Sequence, residues 1–297
     1  VWIFFARTID RLGKGIRTGA RDALLSDEAT PETKGKIFGF HRSMDTLGAV
    51  IGPLIALIYL YYHPDDFKTL FFIAFAPGLL AIIFTLIIKE KKKNTNKQIG
   101  KNSFFSFLNY WKESPKTYKK LVTGLLIFTL INSSDVFLLL KAKDAGLSDT
   151  QVIGVYIFYN LVYALFAFPL GMIADKTNLK TMLLAGFIIF SGVYLGMAFS
   201  HSLSMIMLLF FLYGIYAAAT EGISKAWISN IVNKNDVATA IGNFTGFQSI
   251  FTMLASSLTG LIWYTYGATT AFIITSIITL LIVIYIIISV PAPDKKN

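Results

Sequence analysis

Nine long apolar stretches, separated by short polar connections, set the pattern of this chain. Each is about as long as the 18 or more apolar residues that a helix needs to cross the hydrocarbon core of a bilayer. The predicted spans are 1–26, 36–62, 68–88, 121–142, 150–175, 181–199, 203–231, 236–264 and 268–290. The pattern predicts an all-α membrane protein with nine transmembrane helices.

The lysines of the polar connections predict the orientation. The segment 89–120 holds ten lysines against Glu90 and Glu113. Basic residues concentrate in cytoplasmic loops, so this segment is predicted to be cytoplasmic. Alternation of the spans then places on the same side the connections 27–35, 176–180 and 232–235 and the tail from 291. The opposite side carries Lys68, Lys141 and Lys143.

The same segment divides the chain. Three spans precede it and six follow it, which predicts a partial N-terminal bundle at 1–88, a cytoplasmic linker at 89–120 and a C-terminal six-helix bundle at 121–297. Residues 103–111 within the linker have the pattern of an amphipathic helix lying on the membrane surface. The chain begins at Val1 inside an apolar run. We therefore expect a fragment that holds the fourth to twelfth helices of a twelve-helix protein.

A weak internal repeat relates the two parts. At an offset of 203, spans 1–26 and 36–62 correspond to 203–231 and 236–264. The matching pairs are Gly19 with Gly222, Ala23 with Ala226, Ser26 with Ser229 and Gly39 with Gly242. Internal repeats of this kind are typical of secondary transporters, whose substrate sites lie near the bilayer midplane between the repeats.

Composition narrows the functional classes. Hydrophobic residues make up 55% of the chain and charged residues 15%, against about 25% charged in soluble domains. The net charge of +10 lies mainly in the loops of one side, which argues against a nucleic-acid partner. The chain has no cysteine, and its histidines are far apart, so neither a thiolate zinc site nor another metal cluster is predicted. No cofactor and no enzyme activity are expected. The aromatic residues are interpreted mainly as lipid-facing or interfacial.

All five arginines lie between residues 7 and 42. On the first predicted helix, seven charged residues fall on one face, which is predicted to line the substrate pathway: Arg7, Asp10, Arg11, Lys14, Arg17, Arg21 and Asp22. Charged side chains within a span face the bundle interior or a water-filled cavity. Five cations against two carboxylates leave an excess of +3, which favours a substrate carrying a carboxylate or phosphate. The alternatives are a charged face that only supports helix packing, and a cytoplasmic loop over 10–35.

Six further ionisable residues within the predicted spans are candidates for proton coupling: His41, Arg42, Asp45, Asp135, Glu221 and Lys225. His41 and Asp45 are four residues apart, a spacing that lets a carboxylate tune a histidine and share its proton; a static hydrogen bond is the alternative. Glu221 and Lys225 have the same spacing, which is also common in purely structural pairs. Asp135 is predicted near the middle of the span 121–142, as its lone carboxylate and a candidate proton or cation site.

Three segments resemble motifs of the major facilitator superfamily. Arg7, Gly13 and Gly15, followed by Asp27, Pro31, Lys34 and Gly35, are similar to its fourth-helix motif and the loop after it. Residues 48–53 resemble its fifth-helix G-x-x-x-G-P motif, and residues 171–180 resemble the second-half copy of its loop motif. In this chain Arg11 stands where the fourth-helix motif has glycine, and Asn178 replaces the second glycine of the loop motif.

The resemblance implies gating or structural roles at Gly13, Gly15, Gly48, Gly52, Pro53, Gly171, Asp175 and Lys180. It implies a two-bundle transporter that works by alternating access, and its fifth-helix motif is associated with antiporters. We therefore expect proton-coupled efflux of a small metabolite or drug by a monomer in a bacterial inner membrane, with lipid, substrate and protons as partners. The alternatives are a proton-coupled importer of an organic anion and a non-transporting membrane receptor of the same fold.

Overall fold

The computed structural model describes residues 18–87, 106–200 and 202–291, with no side-chain detail at 106–109. This part of the chain is helical, without a strand. Its helices are α1 (18–27), α2 (Lys34–Tyr62), α3 (Phe67–Ile87), α4 (Ser106–Glu113), α5 (Lys116–Ile131), α6 (Val136–Asp144), α7 (Asp149–Lys176), α8 (Leu179–Phe199), α9 (Leu203–Ile231) and α10 (Val237–Ser289), with a 3-10 turn at Lys234–Asp236.

Seven helical segments of the described chain are long and apolar enough to cross a membrane. The last of them, Lys234–Ser289, contains the predicted span 236–264 and all but the last residue of 268–290, and Gly267 between the two has a φ of 86°. A positive φ of this size is readily available to glycine alone, so the residue lets the chain turn between the two predicted spans. The first predicted span is described only from residue 18. The count of nine therefore stays a prediction.

The expected single span over 121–142 is interrupted. Helix α5 ends at Ile131 and α6 begins at Val136, so Asp135 lies at a helix break rather than inside a continuous helix. The intervening sequence, Asn132-Ser133-Ser134-Asp135, contains neither glycine nor proline. Short polar side chains break helices by offering the backbone other hydrogen-bond partners. Ser134 does so here, since its Oγ accepts from the N–H of Val136 at 3.4 Å.

The buried core belongs to the second half of the chain. Phe128 stacks on Phe187 with ring centroids 4.1 Å apart, and Trp227 and Tyr194 are fully buried. Helix α2 packs against α7 and α9 and so joins the first half to this core. Helix α3 has no buried residue. Its uniformly apolar surface is what lipid or neighbouring membrane helices would cover.

Helix α4 corresponds to the amphipathic helix predicted at 103–111. Its Trp111 ring lies 6.3 Å from that of Phe247 on α10, and Tyr110 lies 5.4 Å from Tyr118 on α5. The linker side of the second half is thus covered by aromatic packing. Burial raises the pKa of Tyr110 to about 12, with Asp236 adding to the effect.

The internal repeat is visible in the packing. A Cβ built on Gly19 lies 3.6 Å from Gly242, and one built on Gly222 lies 3.3 Å from the amide nitrogen of Gly39. The repeat offset of 203 converts one contact into the other, because it relates Gly19 to Gly222 and Gly242 to Gly39. Contacts that interchange in this way are those of an approximate two-fold axis, which passes between α1 and α9.

Candidate functional site

A cavity of about 360 Å³ lies among helices α5, α7, α8, α9 and α10 of the second half. The polar break between α5 and α6 forms one part of its wall, and Glu221 and Lys225 of α9 form another. Lys225 is six residues before the end of α9 at Ile231, on the side predicted to be cytoplasmic. Asp135 follows the 16 residues of α5, which climb about 24 Å from that side. Charged groups thus lie at two levels of one cavity.

Lys225 pairs with a residue of the first half. Its Nζ lies 2.6 Å from the Asp22 carboxylate, whose side chain is fully buried, and the lysine side chain is 10% exposed. Arg21 contacts the other oxygen of Asp22 at 3.0 Å. One carboxylate therefore serves two cations. Lys225 and Asp22 are 203 residues apart, so the pair lies where the two-fold axis runs.

Arg42 forms a second link between the halves. Its guanidinium donates to Glu221 of α9 and, at 3.0 Å, to Asp45 of its own helix. The side chains of Arg42 and Glu221 are 26% and 33% exposed. The pair of Arg42 and Glu221 is therefore more accessible than the buried pair of Asp22 and Lys225. Glu221 and Lys225, four residues apart on one helix, each pair with the other half rather than with one another.

His41 does not form the relay with Asp45 that their spacing suggests. In the described chain Asp45 pairs with Arg42, while the buried Nε2 of His41 has no hydrogen-bond partner. The direct His41–Asp45 hydrogen bond expected from their spacing is not formed in this conformation.

The end of the interface between the halves that is predicted to be cytoplasmic is tightly closed. The carboxylate of Asp175, at the end of α7, accepts hydrogen bonds from the N–H groups of Gly35 and Lys36, each at 2.7 Å. Lys34 is buried and donates to the carbonyl of Ser229 at 2.6 Å. An anion at the first turn of α2 is favoured by the unpaired amides and the dipole of that helix. Asp175 thus caps a helix of the opposite half.

Substituting Asp175 by alanine should weaken this closure by about 2 kcal/mol, because two amides lose a charged acceptor. The population ratio of closed to open states would then fall by a factor of about 30. The 297 residues contain no cysteine, so spin labels at Glu32→Cys and Lys176→Cys can report the separation by electron resonance. Longer distances are expected in the variant. Asp149→Ala, at the exposed opposite end of α7, is the control, and an unchanged distance distribution with Asp175→Ala would contradict the capping role.

At its other level, the cavity is polar and aromatic. Asp135 accepts a hydrogen bond from the Tyr159 hydroxyl and one of 3.4 Å from the Oγ of Ser134. Asn132 donates to the Tyr216 hydroxyl at 3.0 Å. The rings of Tyr159 and Tyr213 meet edge-on at 5.4 Å. These aromatic residues line the cavity, so the lipid-facing interpretation fails for them.

Several other predicted site residues fall elsewhere. Lys180 donates to the carbonyls of Ile287 and Val290, and so holds the end of α10 within the second half. Gly171 lies against α2, whereas no described atom outside the local backbone comes within 4 Å of a Cβ built at Gly48 or Gly52. Pro53 lies inside α2. Seven predicted site residues lie outside the described part of the chain: Arg7, Asp10, Arg11, Gly13, Lys14, Gly15 and Arg17.

The sequence did not indicate that tyrosines line the cavity, nor which charged residues pair between helices. Helices α7 and α9 are mostly apolar and have no distinct polar face, so no periodicity separates Tyr159 or Tyr216 from lipid-facing neighbours. The run of four polar residues at 132–135 is the signal that could have located the wall of the cavity, since polar residues inside a span mark substrate and ion pathways. Lys34 was assigned only to a loop motif, although it is buried between the halves.

Comparisons with known proteins agree with this architecture. The Major Facilitator Superfamily model matches residues 1–158 and 122–297. The uncharacterized MFS-type transporter MJ1317 of Methanocaldococcus jannaschii is 35% identical over 279 residues, which are 90% of this chain and 68% of that protein. The uncharacterized MFS-type transporter C18.02 of Schizosaccharomyces pombe is 25% identical over 182 residues, which are 60% of this chain and 40% of that protein.

Two solved structures share the fold. The Escherichia coli fucose:proton symporter FucP superimposes with a TM-score of 0.71 at 12% identity, covering 90% of this chain and 72% of that one. The human organic anion transporter MFSD10 gives a TM-score of 0.68 at 15% identity, covering 90% and 67%. The family match extends over both halves of the chain, including the second half that lines the cavity. The chain is a multi-pass membrane protein that belongs to the major facilitator superfamily of secondary transporters.

Proposed function

We propose that this protein exports a small metabolite or drug by alternating access, in exchange for protons. The observation that carries the proposal is the link between Arg42 and Glu221, which joins the two halves beside the cavity. Protonation of Glu221 removes its charge and leaves Arg42 with Asp45 alone. A proton that reaches Glu221 from the cavity would thereby loosen the contact between the halves, which is the step that coupling requires.

Two ion pairs join the halves, and their exposure favours Glu221 as the residue that is protonated and the pair of Asp22 and Lys225 as a structural link. Glu221 is 33% exposed and can exchange protons with the cavity, whereas the side chain of Asp22 is fully buried against Lys225. Truncating one partner of a buried pair is costly, so that pair suits a structural role. The accessible link is the better candidate for repeated protonation.

The anionic group of the proposed substrate rests on the arginines. Arg21 and Lys225 share the single carboxylate of Asp22, and the sequence places Arg11, Lys14 and Arg17 on the same helix face. Excess positive charge in a low-dielectric site requires an anionic partner. The organic anion and proton specificities of MFSD10 and FucP belong to distant relatives, and only their fold is shared.

The proposed direction rests on the G-x-x-x-G-P resemblance at 48–53, and the proposed location is the cytoplasmic membrane. The experiment uses the full-length protein in inside-out vesicles with an acidic interior and a metabolite extract outside, with accumulated compounds identified by mass spectrometry. An exporter that exchanges protons accumulates compounds in these vesicles. A symporting importer does so in right-side-out vesicles with an acidic exterior, and a receptor in neither.

Glu221→Gln should separate coupling from transport. The amide can still accept from Arg42 but cannot gain or lose a proton, so flux driven by the pH gradient should fall at least about tenfold, the effect of roughly 1.4 kcal/mol. With equal pH on both sides of the membrane, the variant should still exchange external for internal substrate, measured with a compound identified in the vesicle experiment. Glu113→Gln, at an exposed position on α4, is the matched control. Full gradient-driven accumulation by Glu221→Gln would refute coupling at this residue.

A further inference from the structure

The break between α5 and α6 presents hydrogen-bond acceptors to the cavity. Asn132 and Ser133 line the cavity. Asn132 Oδ1 is buried without a hydrogen-bond partner among the described residues, and the buried Ser133 Oγ lies beside the Tyr194 hydroxyl. Buried polar atoms are nearly always paired, so each such exception calls for an explanation. Asp135 lies two residues after Ser133, so three acceptor side chains fall within four residues.

Asp135 differs from the other carboxylates around the cavity in the kind of partner it has. Asp22, Asp45 and Glu221 each pair with a lysine or arginine. The contacts of Asp135 within the described chain are the hydroxyls of Tyr159 and Ser134. Tyr159 holds the carboxylate in place but brings no positive charge. A carboxylate in a low-dielectric wall favours a positively charged partner.

The wall beside Asp135 is built of aromatic rings. Tyr159 contacts Tyr156 at 5.5 Å and Tyr213 at 5.4 Å between ring centroids, both edge-on. Aromatic faces attract cations, most strongly where water is excluded. Lys225 is the one basic residue of the described chain that lines the cavity, and it pairs with Asp22 at the cytoplasmic level. Among the described residues, this end of the cavity therefore has a carboxylate, aromatic rings and the acceptors of Asn132 and Ser133, without a basic side chain.

We propose that Asp135, Asn132, Ser133 and the surrounding tyrosines form a subsite for a protonated amine of the transported molecule. An ammonium group has three N–H donors, which matches the three acceptor side chains. The inference deepens the proposed function by naming a substrate class, an organic amine. With the anionic group proposed opposite the arginines, that substrate is a zwitterion. Asp135 then serves in substrate binding rather than in the proton coupling expected from the sequence.

The test measures thermal unfolding of the purified full-length protein with two probes that share one ring: benzylammonium and benzyl alcohol. Benzylammonium should raise the Tm of the wild-type protein in a saturable way, and benzyl alcohol should not. In Asp135→Asn the Kd for benzylammonium should rise at least about tenfold. Asp149→Asn removes an exposed carboxylate outside the cavity and should leave this Kd unchanged.

Tyr159→Phe provides a second variant that keeps the carboxylate and removes the hydroxyl that orients it. A several-fold rise in the Kd for benzylammonium is expected, so the inference remains testable if Asp135→Asn does not fold. The inference is overturned if benzylammonium fails to bind, or if it binds no better than benzyl alcohol. It is also overturned if either variant, Tyr159→Phe or Asp135→Asn, binds benzylammonium as tightly as the wild-type protein does. Binding is measured without a gradient, so this result is independent of whether Glu221→Gln uncouples transport.

Discussion

Gly171→Ala is expected to abolish transport by preventing the two halves from closing at the end where α7 meets α2. A Cβ at this position would lie 2.3 Å from the carbonyl oxygen of Gly35 on the opposite half. Backbone cannot rotate away as a side chain can, so α2 and α7 would have to separate by roughly 1 Å to restore ordinary contact. The same displacement would lengthen both hydrogen bonds that Asp175 accepts from the first turn of α2.

Flux in the vesicle assay should fall by about 100-fold or more, which corresponds to nearly 3 kcal/mol lost from the closed state. The spin-label pair at residues 32 and 176 should show longer distances at the same time. Gly154→Ala is the matched control, because it lies on the same helix with no atom near its Cβ. Alanine is a better helix former there by about 1 kcal/mol. Normal flux by Gly171→Ala would show that this close contact is not required in the transport cycle.

Breaking the buried pair should have the largest effect on stability. Asp22→Ala leaves Lys225 unpaired at a site where its side chain is 10% exposed, a change that typically costs about 3–5 kcal/mol. Lys225→Ala leaves Asp22 with Arg21, which still contacts it at 3.0 Å, so its cost should be smaller. Thermal unfolding of the purified full-length protein measures both, and the lower Tm is expected for Asp22→Ala.

The charge exchange Asp22→Lys with Lys225→Asp tests the pairing itself. It should recover part of the loss, but not all of it, because Arg21 would then lie beside a lysine. Arg21→Gln is the control; Arg21 is 32% exposed, and an accessible pair is worth about 1 kcal/mol or less. If the exchanged double variant is no more stable than the worse single exchange, the pair contributes little as an ion pair.

The helices of the second half were predictable because long apolar runs end at residues that stop helices. Spans predicted at 150–175, 181–199 and 203–231 agree with α7, α8 and α9 to within two residues at each end. Ser148 caps α7 and Asn178 caps α8 through side-chain hydrogen bonds to backbone amides. Such signals are local, so a sequence carries them in full.

The interhelical partners were not predictable in the same way. Spacing on one helix suggested Glu221 with Lys225 and His41 with Asp45, but Glu221 pairs with Arg42 and Lys225 with Asp22 across the two halves. Which charges meet depends on how α1 and α2 pack on α9, and hydropathy contains no measure of that. The break at 132–135 escaped for a related reason, since averaging over a span hides four polar residues among apolar ones.

The pair of Asp22 and Lys225 also bears on the ancestry implied by the repeat. Two identical halves associating about a two-fold axis would place the same residue against itself wherever the axis passes. At this position such a homodimer would oppose two aspartates or two lysines, and like charges in a buried site repel strongly. Attraction at the axis requires the two copies to differ. This ion pair therefore belongs to a stage after the duplicated halves had diverged, and it makes them no longer interchangeable.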